Sequence, residues 1–313
     1  MADPDPALRC PATLEGKPFG WETCSLDASA FAPTTPIHPL LCGRLRPSRR
    51  PKYLPRPRHD AGRVPVELWG PATMTTAPDG GPVRIGMNWA RSYDTSTTFC
   101  RESGTAEFFE GPHEQALFKR MTMDHRCVDM KFQPATLSWS GHPAGPRSYT
   151  LDAAELSADG WLTFHEVKAH PAYFEVPETA DLLDAAEAFL TSFPNVRLNR
   201  ECGNRPDEEL RRRIANEAFY YRMFECTPME IAAAVDVVHR SGGTASLASV
   251  RDAIDPDPLA SMPKAYAMLA ARHLAFDLAL PPTDDTPVRL PEPVLHPTRL
   301  RDFLRLFAPG GSA

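Results

Sequence analysis

The stretch Tyr149 to Lys168, YTLDAAELSADGWLTFHEVK, constrains this chain more than any other. Tyr149, Leu151, Ala153 and Leu156 form an imperfect apolar run, and Ala158-Asp159-Gly160 supplies a turn that tolerates left-handed backbone. Trp161 to Val167 then returns as aromatic and β-branched residues in near alternation. The stretch therefore reads as a β-hairpin. Asp152 opens its first strand, while Glu166 and Lys168 close the second, two residues apart and so on one face. Two carboxylates and an ammonium on neighbouring strands can hold a hard divalent cation and position a water beside it. Alone the pattern is weak, because 40 acidic and 34 basic residues offer many such coincidences and surface hairpins often carry Glu-Lys pairs. The setting strengthens it. Glu166 lies among Phe164, His165 and Val167, positions that a half-buried strand covers, and a charge there needs a partner.

Upstream, Pro112 suits the first turn of a helix in which Leu117, Phe118 and Met121 follow Glu114 on one face. Glu114 then lies in that first turn, where it could be a further oxygen ligand or simply complement the helix dipole. Glu107 and Glu110 compete for the ligand role, but FFEGP reads as loop. Val128 to Leu137 reads as a strand broken at Gln133-Pro134. Downstream, Leu182, Leu183, Ala186, Phe189 and Leu190 share a face of a helix over 179–193, and a strand follows over 193–198. Helix, strand, hairpin, helix and strand make a small α/β core.

The flanks differ. Residues 1–82 are rich in Pro, Thr and Gly and show no sustained helical period, so they read as an extended arm. Within it Arg44, Arg46, Arg49, Arg50, Lys52, Arg56 and Arg58 form an acid-free basic run, suited to tracking phosphates or to a solvated leader. Beyond a boundary at 203–207, a helix over 207–224 leads to Thr227-Pro228-Met229-Glu230, a capping box with proline at the first helical position. Helices over 247–254 and 264–273, then strands over 274–280 and 288–290, give three helices and a two-stranded wing. That is the order of a winged helix. Residues 298–307 form a short amphipathic helix that could dock on a partner, though such an end more often packs on its own domain.

Bulk properties narrow the classes. A length of 313 residues allows two compact domains, and 34 prolines imply much loop. The net charge of −6 argues against a protein that coats nucleic acid through global charge. Seven scattered cysteines without a CxxC pair suggest neither a zinc site nor a disulfide framework. With no signal-like or membrane-spanning run, the sequence reads as a cytoplasmic protein.

The run from Glu114 through Phe132-Gln133-Pro134 to Tyr149-Thr150-Leu151-Asp152 and His165-Glu166-Val167-Lys168 resembles the N-terminal catalytic domain of the TnsA endonuclease family. Those enzymes belong to the restriction-endonuclease-like PD-(D/E)xK superfamily and serve heteromeric cut-and-paste transposases. The resemblance covers residues 83–200 well and 205–290 more loosely. It implies a restriction-endonuclease-like mixed-sheet α/β core at 83–200, a winged-helix-like α+β partner-binding domain at 205–290 and a tail at 291–313. It further implies that Glu114, Asp152 and Glu166 are metal ligands and Lys168 the catalytic lysine, with Mg²⁺ as cofactor and Mn²⁺ as a substitute. Leu151 departs from the pattern, since the family usually has proline there.

The activity so implied is metal-dependent hydrolysis of one DNA strand at transposon ends. A DDE-type transposase subunit and an AAA+ regulator ATPase would be partners, and the protein would join the nucleoid when assembled on DNA. Two alternatives stand beside it. One is a stand-alone nuclease of the same superfamily in defence or repair with its own DNA-reading winged helix, against which the helix over 264–273 offers only Lys264, Arg272 and His273 as DNA-facing residues. The other is a non-enzymatic adaptor that kept the fold.

Overall fold

A computed structural model of the chain describes residues 63–77, 81–83, 95–100, 103–203, 206–294 and 299–305. The basic run over 44–58 lies outside them. The chain divides into two compact units, one holding the described residues up to 215 together with those from 291 onward, the other 216–290. The division falls inside the helix Pro206–Tyr220.

The first unit is a mixed α/β structure. Its central sheet has four strands in the order β4 (Cys127–Phe132), β7 (Ala153–Ser157), β8 (Leu162–Lys168) and β9 (Val196–Cys202). β4, β7 and β8 pair antiparallel, and β9 joins β8 in parallel. The parallel pair needs a crossover, which α2 (Pro177–Leu190) supplies. A three-stranded sheet, β1 (Ala72–Thr76), β5 (Ala135–Trp139) and β6 (Arg147–Thr150), and a two-stranded ribbon, β2 (Thr95–Cys100) and β3 (Thr105–Glu110), complete the strands of this unit. Glu107 and Glu110 are thus in β3, not in a loop: the Phe108-Phe109 pair alternates across the ribbon, with Phe109 buried against Phe118 and Phe132.

The expected hairpin is built differently from its sequence outline. β7 and β8 do form a hairpin around Gly160, whose φ of 85° suits glycine. Tyr149 and Thr150, however, belong to β6 of the other sheet, and Leu151-Asp152 is the bend between the two sheets. The same division recurs at Gln133, where β4 hands over to β5 with φ 49°. These two bends are tied together: Gln133 N donates to Asp152 O at 2.8 Å and Leu151 N to Ala135 O at 3.0 Å.

Strand alternation gives the central sheet two apolar faces. Met130 and Phe132 face α1 (Pro112–Thr122), whose Leu117, Phe118 and Met121 are buried at the expected spacing. Leu156, Leu162 and Phe164 face the other way, into a core that includes Ala185, Ala186 and Leu190 of α2, Trp69, Leu137 and Leu151. Residues 63–76, at the end of the proline-rich stretch, are part of this core through Trp69 and Met74. So is the C-terminal helix α7 (Leu300–Arg305): Leu300 and Leu304 are buried in the same cluster, and Asp129 accepts a hydrogen bond from Leu300 N at 3.0 Å. The tail packs on the first unit.

The helix α3 (Pro206–Tyr220) runs across the division between the units. Within the second unit, α4 (Pro228–Arg240) opens on the capping box at Thr227 and Glu230. β10 (Ala245–Ser246), α5 (Leu247–Ile254) and α6 (Pro258–Ala270) follow, and β11 (Pro287–Val288) pairs antiparallel with β10. The third helix starts six residues earlier than the expected Lys264, because Asp257 caps it through Leu259 N with Pro258 in its first turn. The expected strand over 274–280 reduces to a single bridge, Ala275 to Arg289. Among the described residues no helix is long and apolar enough to cross a membrane.

Candidate active site

The carboxylates singled out in the sequence come together at the end of β8, each brought by a different element. Glu166 is carried by β8 itself and is buried to 1% exposure. Asp152 occupies the inter-sheet bend, one residue beyond the Ala153-His165 pair, which sets it opposite Glu166. Its Oδ2 accepts a hydrogen bond from Val167 N at 2.8 Å. Glu114 comes from the first turn of α1, where its Oε2 accepts from Glu110 N at 2.9 Å. Lys168, two residues beyond Glu166 on the same strand face, bonds Glu166 Oε1 through Nζ.

Each carboxylate therefore has one oxygen fixed and one left over. Glu166 Oε2 is buried with no hydrogen-bond partner among the described residues. Glu114 and Asp152 each engage a single oxygen, in the bonds to Glu110 N and Val167 N. As the side chains stand, no three His, Cys, Asp or Glu residues among those described form a set able to hold a metal ion; Lys168 is the cation that Glu166 holds.

The electrostatics follow from crowding like charges in a partly desolvated place. Burial pushes the Glu114 carboxyl up to about 7, the charges of Glu110 and Glu166 add to the rise, and the Glu110 N–H and Lys168 oppose it. Burial, then the Glu166 charge, hold Asp152 well above the usual carboxylate range. Lys168 shows the opposite balance. Burial works to lower it, but Glu166, Asp152 and Glu114 together raise it, so the amine stays an ammonium.

Three neighbours were not legible as site residues. Tyr149 has its hydroxyl buried beside Glu166 short of a well-formed hydrogen bond, and burial, then the charges of Glu166 and Asp152 and the approach to the Glu166 carboxylate, raise it far above a free phenol. Gln133, to which sequence reasoning assigns no chemical step, is 3% exposed; its backbone N–H holds the Asp152 carbonyl, and its Oε1 is also buried without a partner among the described residues. Arg200 of β9 is the register partner of Glu166, and only the parallel pairing of β8 with β9 reveals that. The competitor Glu107 serves elsewhere: it is 1% exposed and takes Lys131 Nζ at 3.1 Å and Phe132 N at 2.9 Å.

No protein-family model matches this chain, and no curated protein matches its sequence. The site must be read from its own geometry.

The reverse face of β8 carries a separate network. His165 lies between Glu155 Oε2 at 3.2 Å and Glu201 Oε1 at 3.4 Å, and Arg120 reaches Glu201 at 2.6 Å. These contacts hold Glu201 down at about 2 despite its burial. They tie α1, β7 and β9 behind the strand that carries Glu166, and they line a cavity of about 480 Å³.

Proposed function

We propose that this protein is a metal-dependent DNA endonuclease with a restriction-endonuclease-like core, acting as the strand-cleaving subunit of a heteromeric transposase. The observation that supports it best is the set of three carboxylates with one oxygen pinned and one unused, converging beside an ammonium. The unused oxygens, above all the orphaned Glu166 Oε2, suit a hard cation such as Mg²⁺ or Mn²⁺, and Glu114, Asp152 and Glu166 would hold it. Bound there, such an ion would neutralise the phosphate and lower the pKa of a coordinated water.

The chain's own groups supply the rest. Lys168, held as an ammonium, acts as an electrostatic stabiliser of charge building on the phosphate oxygens and not as a base. Glu114, raised to about 7, can take up a proton near neutral pH, and burial with the Glu166 charge raises Asp152 in the same direction. Val167 N and Gln133 N fix Asp152 from two sides, so its carboxylate is oriented before substrate arrives.

The second unit supports the subunit reading over a stand-alone nuclease. Its order α4, β10, α5, α6, then a bridge and β11, is that of a winged helix. Yet the helix that would read DNA, α6, is buried along most of its second half, and its Lys264 is committed to Glu230 at 2.5 Å and Asp255 at 2.6 Å. Target choice is then delegated to partners: a DDE-type transposase and an AAA+ ATPase.

Purified chain with Mg²⁺ or Mn²⁺ should nick supercoiled plasmid only slowly, because efficient cutting of arbitrary duplex by the chain alone would favour the stand-alone nuclease, and Asp152→Ala and Lys168→Ala should each abolish that nicking with the fold retained by circular dichroism. Undiminished nicking by either variant would sink the assignment.

A further inference from the structure

The helix α2 carries the buried Asp181 and the more exposed Asp184 and Glu187, and two arginines from distant parts of the chain are clamped on them. Arg63 Nε reaches Asp181 Oδ1 at 2.9 Å, its Nη2 reaches Asp184 Oδ2, and the adjacent Val64 N donates to Asp181 Oδ2 at 3.1 Å. Arg200 Nη2 bonds Asp184 Oδ1 at 2.9 Å and Glu187 Oε2 at 2.7 Å. Asp184 thus presents one oxygen to each arginine.

We propose that Arg63 and Arg200 form a two-arginine phosphate-contact strip that seats the DNA strand beside the candidate active site; the inference rests on the nuclease reading. A guanidinium has five N–H donors in a rigid fork. Arg63 spends Nε and Nη2 on the helix, and Arg200 spends only Nη2. Nη1 of Arg63 and Nε and Nη1 of Arg200 make no hydrogen bond with the described residues. The side chains are 58% and 32% exposed, so those donors have access to solvent. Two cations bridged by one carboxylate lie close enough to engage neighbouring phosphates of a single strand, and phosphate contacts of this kind set register without reading sequence. The strip leads to the cutting site: Arg200 is paired in register with Glu166, and its charge is felt at the buried Tyr149 hydroxyl. The acids of α2 pre-organise the fork, so little rotamer freedom is lost when phosphate binds.

The same clamps also fasten residues 63–64 and β9 to α2, so the test needs readouts that a fastening role would not move. Binding of a short random-sequence duplex is measured by anisotropy with Ca²⁺ in place of Mg²⁺, over a salt series, for R63Q, R200Q and their lysine counterparts. Each glutamine variant should weaken binding on the order of tenfold at low salt and reduce the slope of log K against log salt by about 1. In Mg²⁺, R63Q should raise KM while its kcat at saturating duplex stays within about twofold. R63K and R200K should restore the salt slope while regaining affinity only in part. Arg63 is the more exposed of the two, so R63Q should lower Tm less than R200Q, and R63K and R200K, which keep a cation on the acids, leave the strip testable through the salt slope. Unchanged slope and KM in both glutamine variants of a chain that nicks would overturn the strip and leave the nuclease reading standing. A loss confined to kcat or Tm assigns the pair a fastening role and likewise overturns it. A parent chain that neither binds nor nicks duplex overturns the nuclease reading, and the strip with it.

Discussion

Glu114 is a buried carboxyl whose ionisation costs the fold stability. Its folded pKa of about 7 lies above the ordinary glutamate value of 4.5, so the folded chain binds that proton more tightly than the unfolded chain does. The linkage sign is therefore that of a raised carboxyl: stability is greatest below about 4.5 and falls as the pH rises through about 7. Glu114→Gln removes the cost of the buried charge while leaving an oxygen to accept the Glu110 N–H. At pH 8 it should stabilise the chain by roughly 1–3 kcal/mol, and that gain should vanish by pH 4. Urea midpoints at the two pH values check this, and nicking by the same variant should fall at least ~10²-fold. Leu151, the residue that departs from the family pattern, has a physical reason to be leucine here. It is fully buried in the main core, and its N–H bonds Ala135 O, which proline could not do.

At the scale of elements, the site depends on two bends where strands change sheets. Leu151→Pro would delete one of the two bonds that tie them, Leu151 N to Ala135 O, and trade a packed leucine for a smaller ring. A loss of ~2–4 kcal/mol is expected, with nicking reduced because Asp152 hangs from the same bend; chemical denaturation and plasmid nicking measure both. Gly203, just past β9, is a similar pin. A Cβ there would overlap the His113 imidazole of α1, so Gly203→Ala must displace one against the other. Thermal unfolding should show a lower Tm for that variant. The hairpin and α1 were legible because their apolar periods are regular, as were the capping box at Thr227 and the break at Gln133-Pro134. The sheet change at Leu151-Asp152 was not, because the apolar run continues through the bend while the partner strand changes. The start of α6 was missed for a related reason: Pro258 and Pro263 read as loop, whereas one sits in the first turn and the other is carried inside a buried helix.

For the whole molecule, the return of the tail matters most. The chain leaves the first unit within α3 and comes back after Leu290 to bury Leu300 and Leu304 in the core behind β4. Ending the chain at Leu290 should therefore destabilise the first unit, not merely remove a partner-binding segment. Two core leucines and the Asp129 bond to Leu300 N are lost together, at a cost of several kcal/mol. Increased binding of a hydrophobic dye and a lower urea midpoint are the expected readings. A deletion designed to separate cutting from partner association must keep residues 291–305.

The sequence alone determined the local pieces and the chemical cast: the β7-β8 turn, the first turn of α1, the capping box, and Glu114, Asp152, Glu166 and Lys168 as candidates. Those features depend on spacing along the chain, through strand and helix periods and turn chemistry. Only the tertiary structure decided which oxygens are pinned and which are unused, that Glu107 belongs to Lys131, that Arg200 stands beside Glu166, and that the tail closes the first core. Each of these rests on contacts between residues far apart in sequence, set by sheet pairing and by the burial of charge, for which no local period leaves a trace.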